Sequence, residues 1–329
     1  MMTPVTKLTG PRITAVVLAC LIGWCVAPAS AQTYPAKAVR VVVPYSAGGG
    51  IDFMARLVSL RLQENLGQPF VVDNRPGAGG VVGSEVVATA RPDGYTLLAV
   101  PISHAANTSL RKLSFDPVTG FAPIVYLASA PNVVLVHPSL PVRTIGEFTR
   151  LARRHPGELS YASSGNGSST HLAAELLKML AKVELLHVPY KGGGPALTDL
   201  IAGQVSMYIG SLPASLPHVR SGRLRGLAVT SAERVKALPD TPTVIEAGVR
   251  GYEYVGWYGL LAPAGTPTAV IERLNAAVNA ILRQSAVADK LAATGAQPTG
   301  GTPAQFADHI KREIEKWALV VKHARMRKD

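Results

Sequence analysis

Apolar runs of strand character alternate with stretches of helical period along most of the chain. Val39–Val43 is a short β-branched run and reads as a buried strand. Beyond a glycine triplet at 48–50, Met54, Val58, Leu62 and Leu66 recur four apart, which predicts a helix over about 52–66 stopped by Gly67. A strand at 70–73, a glycine-rich stretch at 77–83 and a short helix at 84–89 follow, and Asp93-Gly94 turns the chain into a strand at 95–100. A second block begins near Ala130-Pro131. It reads as a strand at 133–136, a helix at 144–155 with Thr144 as N-cap, a strand at 159–162 and a helix at 170–180. A strand at 185–189, a helix at 195–202 closed by Gly203, and strands at 205–209 and 226–230 come next. An apolar return segment at 254–261 ends before Pro263. Two helical stretches close the pattern. Thr266 is read as an N-cap with Pro267 in the first position, ahead of the stripe Val270, Ile271, Leu274, Val278 and Ile281. Thr302 and Gln305 form a capping box before Phe306, Ile310, Ile314, Trp317 and Val321.

Strands alternating with helices mark an α/β architecture with mostly parallel sheets. No internal repeat or low-complexity linker divides the chain, so two lobes fit better than a string of separate domains. The 329 residues are 47% hydrophobic but only 16% charged, against about 25% in an average soluble domain. That balance excludes disorder and calls for a large buried core.

The N-terminus changes how the charge is read. Lys7 and Arg12 precede an apolar run at 13–26, and Ala29-Ser30-Ala31 supplies small residues for cleavage, the three parts of a secretory signal over 1–31. A transmembrane anchor needs about 20 apolar residues, more than this run has. Residues 17–20 loosely resemble a lipoprotein cleavage site, but the apolar run continues past Cys20. Cleavage after Ala31 would leave 298 of the 329 residues and remove Cys20 and Cys25, the two cysteines of the chain. Disulfides and cysteine chemistry are thereby excluded from the mature protein. Loss of Lys7 and Arg12 lowers the net charge from +12 to +10. The remaining bases are scattered rather than striped, and an exported protein does not normally meet chromosomal nucleic acid, so nucleic acid is not expected as a partner.

Three segments share one construction of strand, Gly/Ser-rich loop and helix start. They are Pro44-Tyr45-Ser46-Ala47-Gly48-Gly49-Gly50-Ile51-Asp52, Ser163-Ser164-Gly165-Asn166-Gly167-Ser168-Ser169-Thr170-His171, and Tyr190-Lys191-Gly192-Gly193-Gly194-Pro195. In parallel sheets such loops lie at the carboxyl ends of strands, where ligands bind. Their backbone N–H groups at a helix start form an anion site; the alternative is a set of tight turns. Asp52 is read as capping its helix and fixing its loop. His171 is read as bonding the adjacent loop, and Lys191 as either facing an anion or solvated. Arg220, Arg223 and Arg225 read as a wet surface, and Trp257 as a core aromatic or a cleft wall.

Rival chemistries fit poorly. The P-loop spacing is absent, and Gly48-x-Gly50 lacks the third glycine of a dinucleotide fingerprint because Phe53 stands there. The stretch at 77–83 is one residue too long and lacks an acid after the next strand. No G-x-S-x-G elbow accompanies the serines, although His104, His171 and Asp199 are available, so an exported serine hydrolase using the 163–169 loop stands as the alternative function. His171 and Glu175 are four apart, but H-E-x-x-H is missing and the other histidines are scattered, so neither a metal nor a cofactor is expected.

These loops, with Tyr34-Pro35, Gly67-Gln68, Asn74-Arg75-Pro76-Gly77-Ala78-Gly79-Gly80 and Pro92-Asp93-Gly94-Tyr95-Thr96-Leu97-Leu98, resemble the receptors of tripartite tricarboxylate transporters, the Bug-type extracytoplasmic solute receptors. The likeness continues through Tyr161-Ala162-Ser163-Ser164-Gly165-Asn166-Gly167, His187-Val188-Pro189-Tyr190-Lys191-Gly192, Leu227-Ala228-Val229-Thr230, Leu238-Pro239-Asp240-Thr241-Pro242-Thr243 and Gly256-Trp257-Tyr258-Gly259-Leu260-Leu261-Ala262-Pro263.

The resemblance implies a two-lobed, type II-like periplasmic binding protein with two crossover segments. Residues 32–130 with 256–329 would form one lobe and 131–255 the other. It implies a cleft that holds a small carboxylate through Tyr45, Ser46, Ala47, Gly48, Gly49 and Asp52 on one side. Ser163, Ser164, Gly165, Asn166, Gly167, Ser168, His171, Tyr190, Lys191 and Gly192 would meet the ligand from the other, with Ser103, His104 and Asn107 as a further cleft segment. Its partners would be permease membrane subunits or a sensor protein, and it would work as a monomer in the periplasm without spanning the membrane. Two departures stand out. Thr108 replaces a proline after Asn107. Gly210-Ser211 replaces an Asp-Asn pair, which places Ser211 at the cleft and argues for a ligand without an amino group.

Overall fold

A computed structural model describes residues 1–2 and 34–323. The apolar run of the expected export signal, its cleavage point, both cysteines and residues 324–329 lie outside the described residues. Contacts separate a short unit ending at Ala36 from one unit that runs from Lys37 onward, and the latter is described here.

Its strands are β1 (Val39–Val43), β2 (Phe70–Asn74), β3 (Thr96–Pro101), β4 (Phe121–Val136), β5 (Ser160–Ser163), β6 (Leu186–Pro189), β7 (Met207–Ser211), β8 (Arg225–Val229), β9 (Val255–Pro263) and β10 (Gln297–Pro298). The helices are α1 (Gly50–Leu66), α2 (Val81–Ala88), α3 (Ser103–Leu110), α4 (Ile145–Arg154), α5 (Ser169–Ala181), α6 (Gly193–Ile201), α7 (Leu212–Arg220), α8 (Thr268–Leu282), α9 (Ser285–Ala293) and α10 (Pro303–His323).

The strand order is β2-β1-β3-β9-β4-β7-β5-β6, with β8 and β10 also paired to β4. Each outer flank is parallel: β1 pairs with β2 and β3, and β5 with β6 and β7. The expected α/β fold with two parallel sets is therefore present, joined by antiparallel pairs through β9 and β4. Strand β4 exchanges partners along its length. Pro131 still pairs with Val255 of β9, whereas Asn132 pairs with Ser211 of β7.

Local chemistry explains most boundaries. Gly67 takes a left-handed conformation (φ 72°) that ends α1. The Thr144 hydroxyl accepts from the Glu147 N–H and starts α4. Thr302 and Gln305 exchange both bonds of a capping box, at 2.8 and 3.2 Å. Met54, Val58, Leu62, Ile271, Leu274, Val278, Ile281, Phe306, Ile310 and Trp317 are buried, while Leu66, Val270 and Ile314 are half-buried.

Some expectations shift. Helix α8 begins after Pro267, and the Thr266 hydroxyl donates to the Pro263 carbonyl instead of capping. Arg220 ends α7, a helix that its two prolines, Pro213 and Pro217, conceal in the sequence. Arg225 is no wet surface residue: it is half-buried, and its guanidinium donates to the carbonyls of Leu140 and Val142. Strand β4 starts twelve residues before the expected position of 133, since Pro123 and Pro131 mask it. No described helix is long and apolar enough to cross a membrane.

Candidate ligand-binding site

Five helices begin around one cavity. Its lining includes Gly49 and Gly50 at the start of α1, Ile102 just before α3, Ser169 and Thr170 at the start of α5, Gly193 at the start of α6, and Ser211 just before α7. Each of these helices follows the carboxyl end of a strand: β1, β3, β5, β6 and β7 respectively. The remaining walls are Tyr45, Ile51, Pro101, Asn132, Ser164, Tyr208, Tyr254, Gly256, Trp257 and Tyr258. Among the described residues no Asp, Glu, Lys, Arg or His side chain lines it. The charge that the cavity presents is therefore the partial positive charge of helix starts, about half a unit each at most, together with hydroxyl donors.

Each loop is fixed from behind. The buried Asp52 carboxylate accepts from the Gly48 N–H at 3.0 Å, from Arg56 Nε at 2.9 Å and from Asn74 Nδ2 at 3.0 Å. Burial works against its charge, but the Arg56, Gly48 and Asn74 bonds prevail and hold the carboxyl below the usual aspartate range. The Tyr45 hydroxyl donates to the Gly79 carbonyl and so accepts from Ser103 Oγ at 2.7 Å. Asn107 Nδ2 donates to the same Gly79 carbonyl at 3.0 Å.

In the second loop Ser168 caps α5 by accepting from the His171 N–H, and the Gly167 N–H donates to His171 Nδ1 at 3.1 Å. Thr170 Oγ1 accepts from the Ser164 N–H at 2.7 Å and donates to Ser164 Oγ, which also meets the Tyr208 hydroxyl at 3.2 Å. Ser163 is buried, and its Oγ lies 2.6 Å from His187 Nε2. Tyr161, His187 and His171 stack, the two imidazoles 4.3 Å apart. In the third loop, the Ser46 N–H donates across to the Lys191 carbonyl, and Tyr190 donates to Asp199. Glycine is required where the loops meet: a Cβ on Gly50 would collide with Ser211 and Tyr258, and one on Gly194 with the Ala47 carbonyl.

Of the residues singled out from sequence, Tyr45, Gly49, Ser164 and Ser211 line this cavity. Gly165, Asn166, Tyr190 and Lys191 line an adjoining opening that shares Tyr45 and Ser164 with it and also holds Arg111. The others support from behind. Ser46, Ala47, Gly48, Gly192, Asp52, Ser163, Gly167, Ser168 and His171 hold the loops, and Ser103 and Asn107 brace Tyr45 and the Gly79 turn. His104 is buried away from the cavity against Phe121 and bonded to the Pro117 carbonyl, and burial pushes its pKa down to about 4. Trp257 is both core and wall: 2% exposed, on the cavity, with its indole N–H bonded to Glu313 at 2.9 Å.

Sequence reasoning missed the tyrosines. Tyr208, Tyr254 and Tyr258 sit in or beside apolar strands, where a hydroxyl amid buried residues is the signal that could have marked them. Burial raises the pKa of Tyr45 and Tyr208, and takes Tyr258 to about 12, so these hydroxyls remain protonated donors.

The model of the tripartite tricarboxylate transporter family receptor matches residues 54–326. The chain belongs to that family. The periplasmic binding protein BugD is similar to this receptor with a TM-score of 0.87 at 33% identity, covering 90% of this chain and 100% of BugD. Rpa4515 of R. palustris, solved with adipate, has a TM-score of 0.86 at 42% identity, over 88% of this chain and 98% of its own. MatC of Rhodopseudomonas palustris, with bound malate, has a TM-score of 0.84 at 36% identity, over 88% and 100%. The family is one of solute-binding receptors, not enzymes, and this receptor shares their α/β fold.

Proposed function

We propose that this receptor captures a small organic carboxylate in the periplasm and presents it to membrane permease subunits or to a sensor protein. One observation carries the reading: five helix starts and four tyrosines surround a cavity that has, among the described residues, no formally charged lining side chain. Helix-start N–H groups and dipoles suit a carboxylate. An arginine clamp is unnecessary. The adipate and malate held by Rpa4515 and MatC support the same ligand class.

The partner exchange in β4 between Pro131 and Asn132 supports two lobes, residues 32–130 with 256–329 and residues 131–255. These would close about the segments near Ala130 and Gly256. The Gly210-Ser211 pair keeps an acid out of the cavity wall, which favours a ligand without an amine. Among the described residues no group of His, Cys, Asp or Glu could hold a metal. The hydrolase alternative loses support because the serine beside a histidine, Ser163, is buried off the cavity, while the cavity serine Ser164 bonds through its hydroxyl to Thr170 and Tyr208, neither of them a general base.

The test is mass spectrometry of small molecules released from the purified protein, followed by calorimetry with those acids. Saturable binding of a carboxylate, weakened by Ser164→Ala or Gly49→Leu without loss of fold, is the expected result. Failure of every carboxylate to bind would overturn the reading.

A further inference from the structure

Four tyrosines line the cavity, and three have bonding partners in the protein. Tyr45 is bonded to Gly79 and Ser103, Tyr208 to Ser164, and Tyr258 donates to Ser211 Oγ at 2.9 Å. Tyr254 differs. It is 2% exposed, and its hydroxyl is buried without a hydrogen bond of ordinary geometry, although Ser169 lies near enough to ease its ionisation. A buried hydroxyl left without a good partner is destabilising, and here it belongs to a wall of the cavity proposed to take ligand.

The charge near that wall narrows what the hydroxyl can meet. Trp257, three residues further on in β9, donates its indole N–H to Glu313 Oε2, which also accepts from Trp317 Nε1 at 3.1 Å. Glu313 is 9% exposed, with Lys316 Nζ 3.8 Å from its other oxygen. Burial first, then the neighbouring Tyr258 and Tyr252, and last this carboxylate hold the Tyr254 hydroxyl in its protonated form. An anionic group of the ligand is thus served by the helix starts, and a neutral oxygen by Tyr254.

On the reading proposed above, we infer that Tyr254 is a specificity-determining residue that hydrogen-bonds a neutral oxygen of the ligand, a hydroxyl or keto group. The receptor therefore favours oxygen-substituted carboxylates over their unsubstituted counterparts. A hydroxyl or carbonyl satisfies Tyr254 at little desolvation cost, whereas a methylene in its place leaves the phenol buried and unmatched. Polar sites discriminate strongly against analogues lacking the matching group.

The experiment is calorimetry on wild type and Tyr254→Phe with two matched pairs, malate against succinate and 2-hydroxyadipate against adipate, and a thermal melt of each protein to establish folding. Wild type is expected to bind the hydroxylated member of at least one pair more tightly. In the variant that preference should shrink by about 3- to 10-fold, the size of one neutral hydrogen bond, with the unsubstituted acid bound as well as before or better. An equal loss for both members of a pair, or an undiminished preference, overturns the role of Tyr254. If neither protein binds any of the four acids, this inference falls, while the carboxylate reading stands or falls separately on the acids released from the purified protein. If the variant does not fold, Tyr254→Met is read by the same ratio.

Discussion

The backbone N–H of Ser46 donates to the carbonyl oxygen of Lys191 across 3.1 Å, so the first and third glycine loops are clasped main chain to main chain. A Cβ on Gly192 would stand 2.7 Å from the Ser46 nitrogen and 2.9 Å from its Cβ. Gly192→Ala therefore has to push the loops apart, at about 1–3 kcal/mol. Ligand release is expected to quicken about tenfold or more, measured by stopped-flow displacement, with the melting temperature lowered by roughly 2–10 °C. Unchanged release would show that the clasp has no part in retention.

Asp52 binds three donors from beneath the first loop. Its lowered pKa means that the stability it adds is fully present above the ordinary value of 3.8 and is lost as the pH falls through the lowered one. Asp52→Asn should cost about 1–3 kcal/mol at neutral pH and flatten acid unfolding below about pH 4. Chemical denaturation at pH 7 and pH 3 measures both effects.

His187 titrates in the opposite sense to a histidine that gains a partner. Burial, with His171 beside it, pushes its pKa down from 6.5 to about 4. Between those values the unfolded chain takes up a proton that the folded chain refuses, so stability is intact above pH 6.5 and declines towards pH 4. Solvent reaches the half-buried ring, which limits the loss to about 1–2 kcal/mol. His187→Gln should reduce the slope of stability against pH in that window, and NMR titration of the ring locates the pKa directly.

Serine-directed fluorophosphonates should leave the protein unlabelled. Ser163, which has a histidine 2.6 Å away, is buried, and its oxygen also accepts the Gly165 N–H. Labelling at Ser163 or Ser164, seen by intact-mass spectrometry, would revive the hydrolase alternative.

The legible part of this molecule was its periodic part. Met54, Val58 and Leu62 announce α1, and Thr302 with Gln305 announces the start of α10, because spacing and capping are local properties. The illegible part depended on tertiary context. Pro123 and Pro131 argue against a strand, yet β4 takes Pro123 at a register shift and Pro131 where it passes from β9 to β7. Pro217 argues against a helix that nonetheless forms beside the cavity. The site was half legible for the same reason. Glycine loops advertise themselves by composition and proved to meet at the cavity, whereas Tyr208, Tyr254 and Tyr258 read as ordinary strand residues until segments distant in sequence fold them onto one cavity wall. His104, singled out as a cleft residue, packs on Phe121 instead, a contact that no local spacing encodes.

Strand β4 runs unbroken for 16 residues and gives its first part to one half of the sheet and its last to the other. The two halves are accordingly tethered by a shared rung of the ladder, not by a slack linker. On the two-lobed closure proposed above, any parting of the glycine loops is taken up as twist and bend within that strand and its neighbours. Such a spring sets its own rest angle, so on the same proposal mutations in β4 far from any ligand atom should retune affinity.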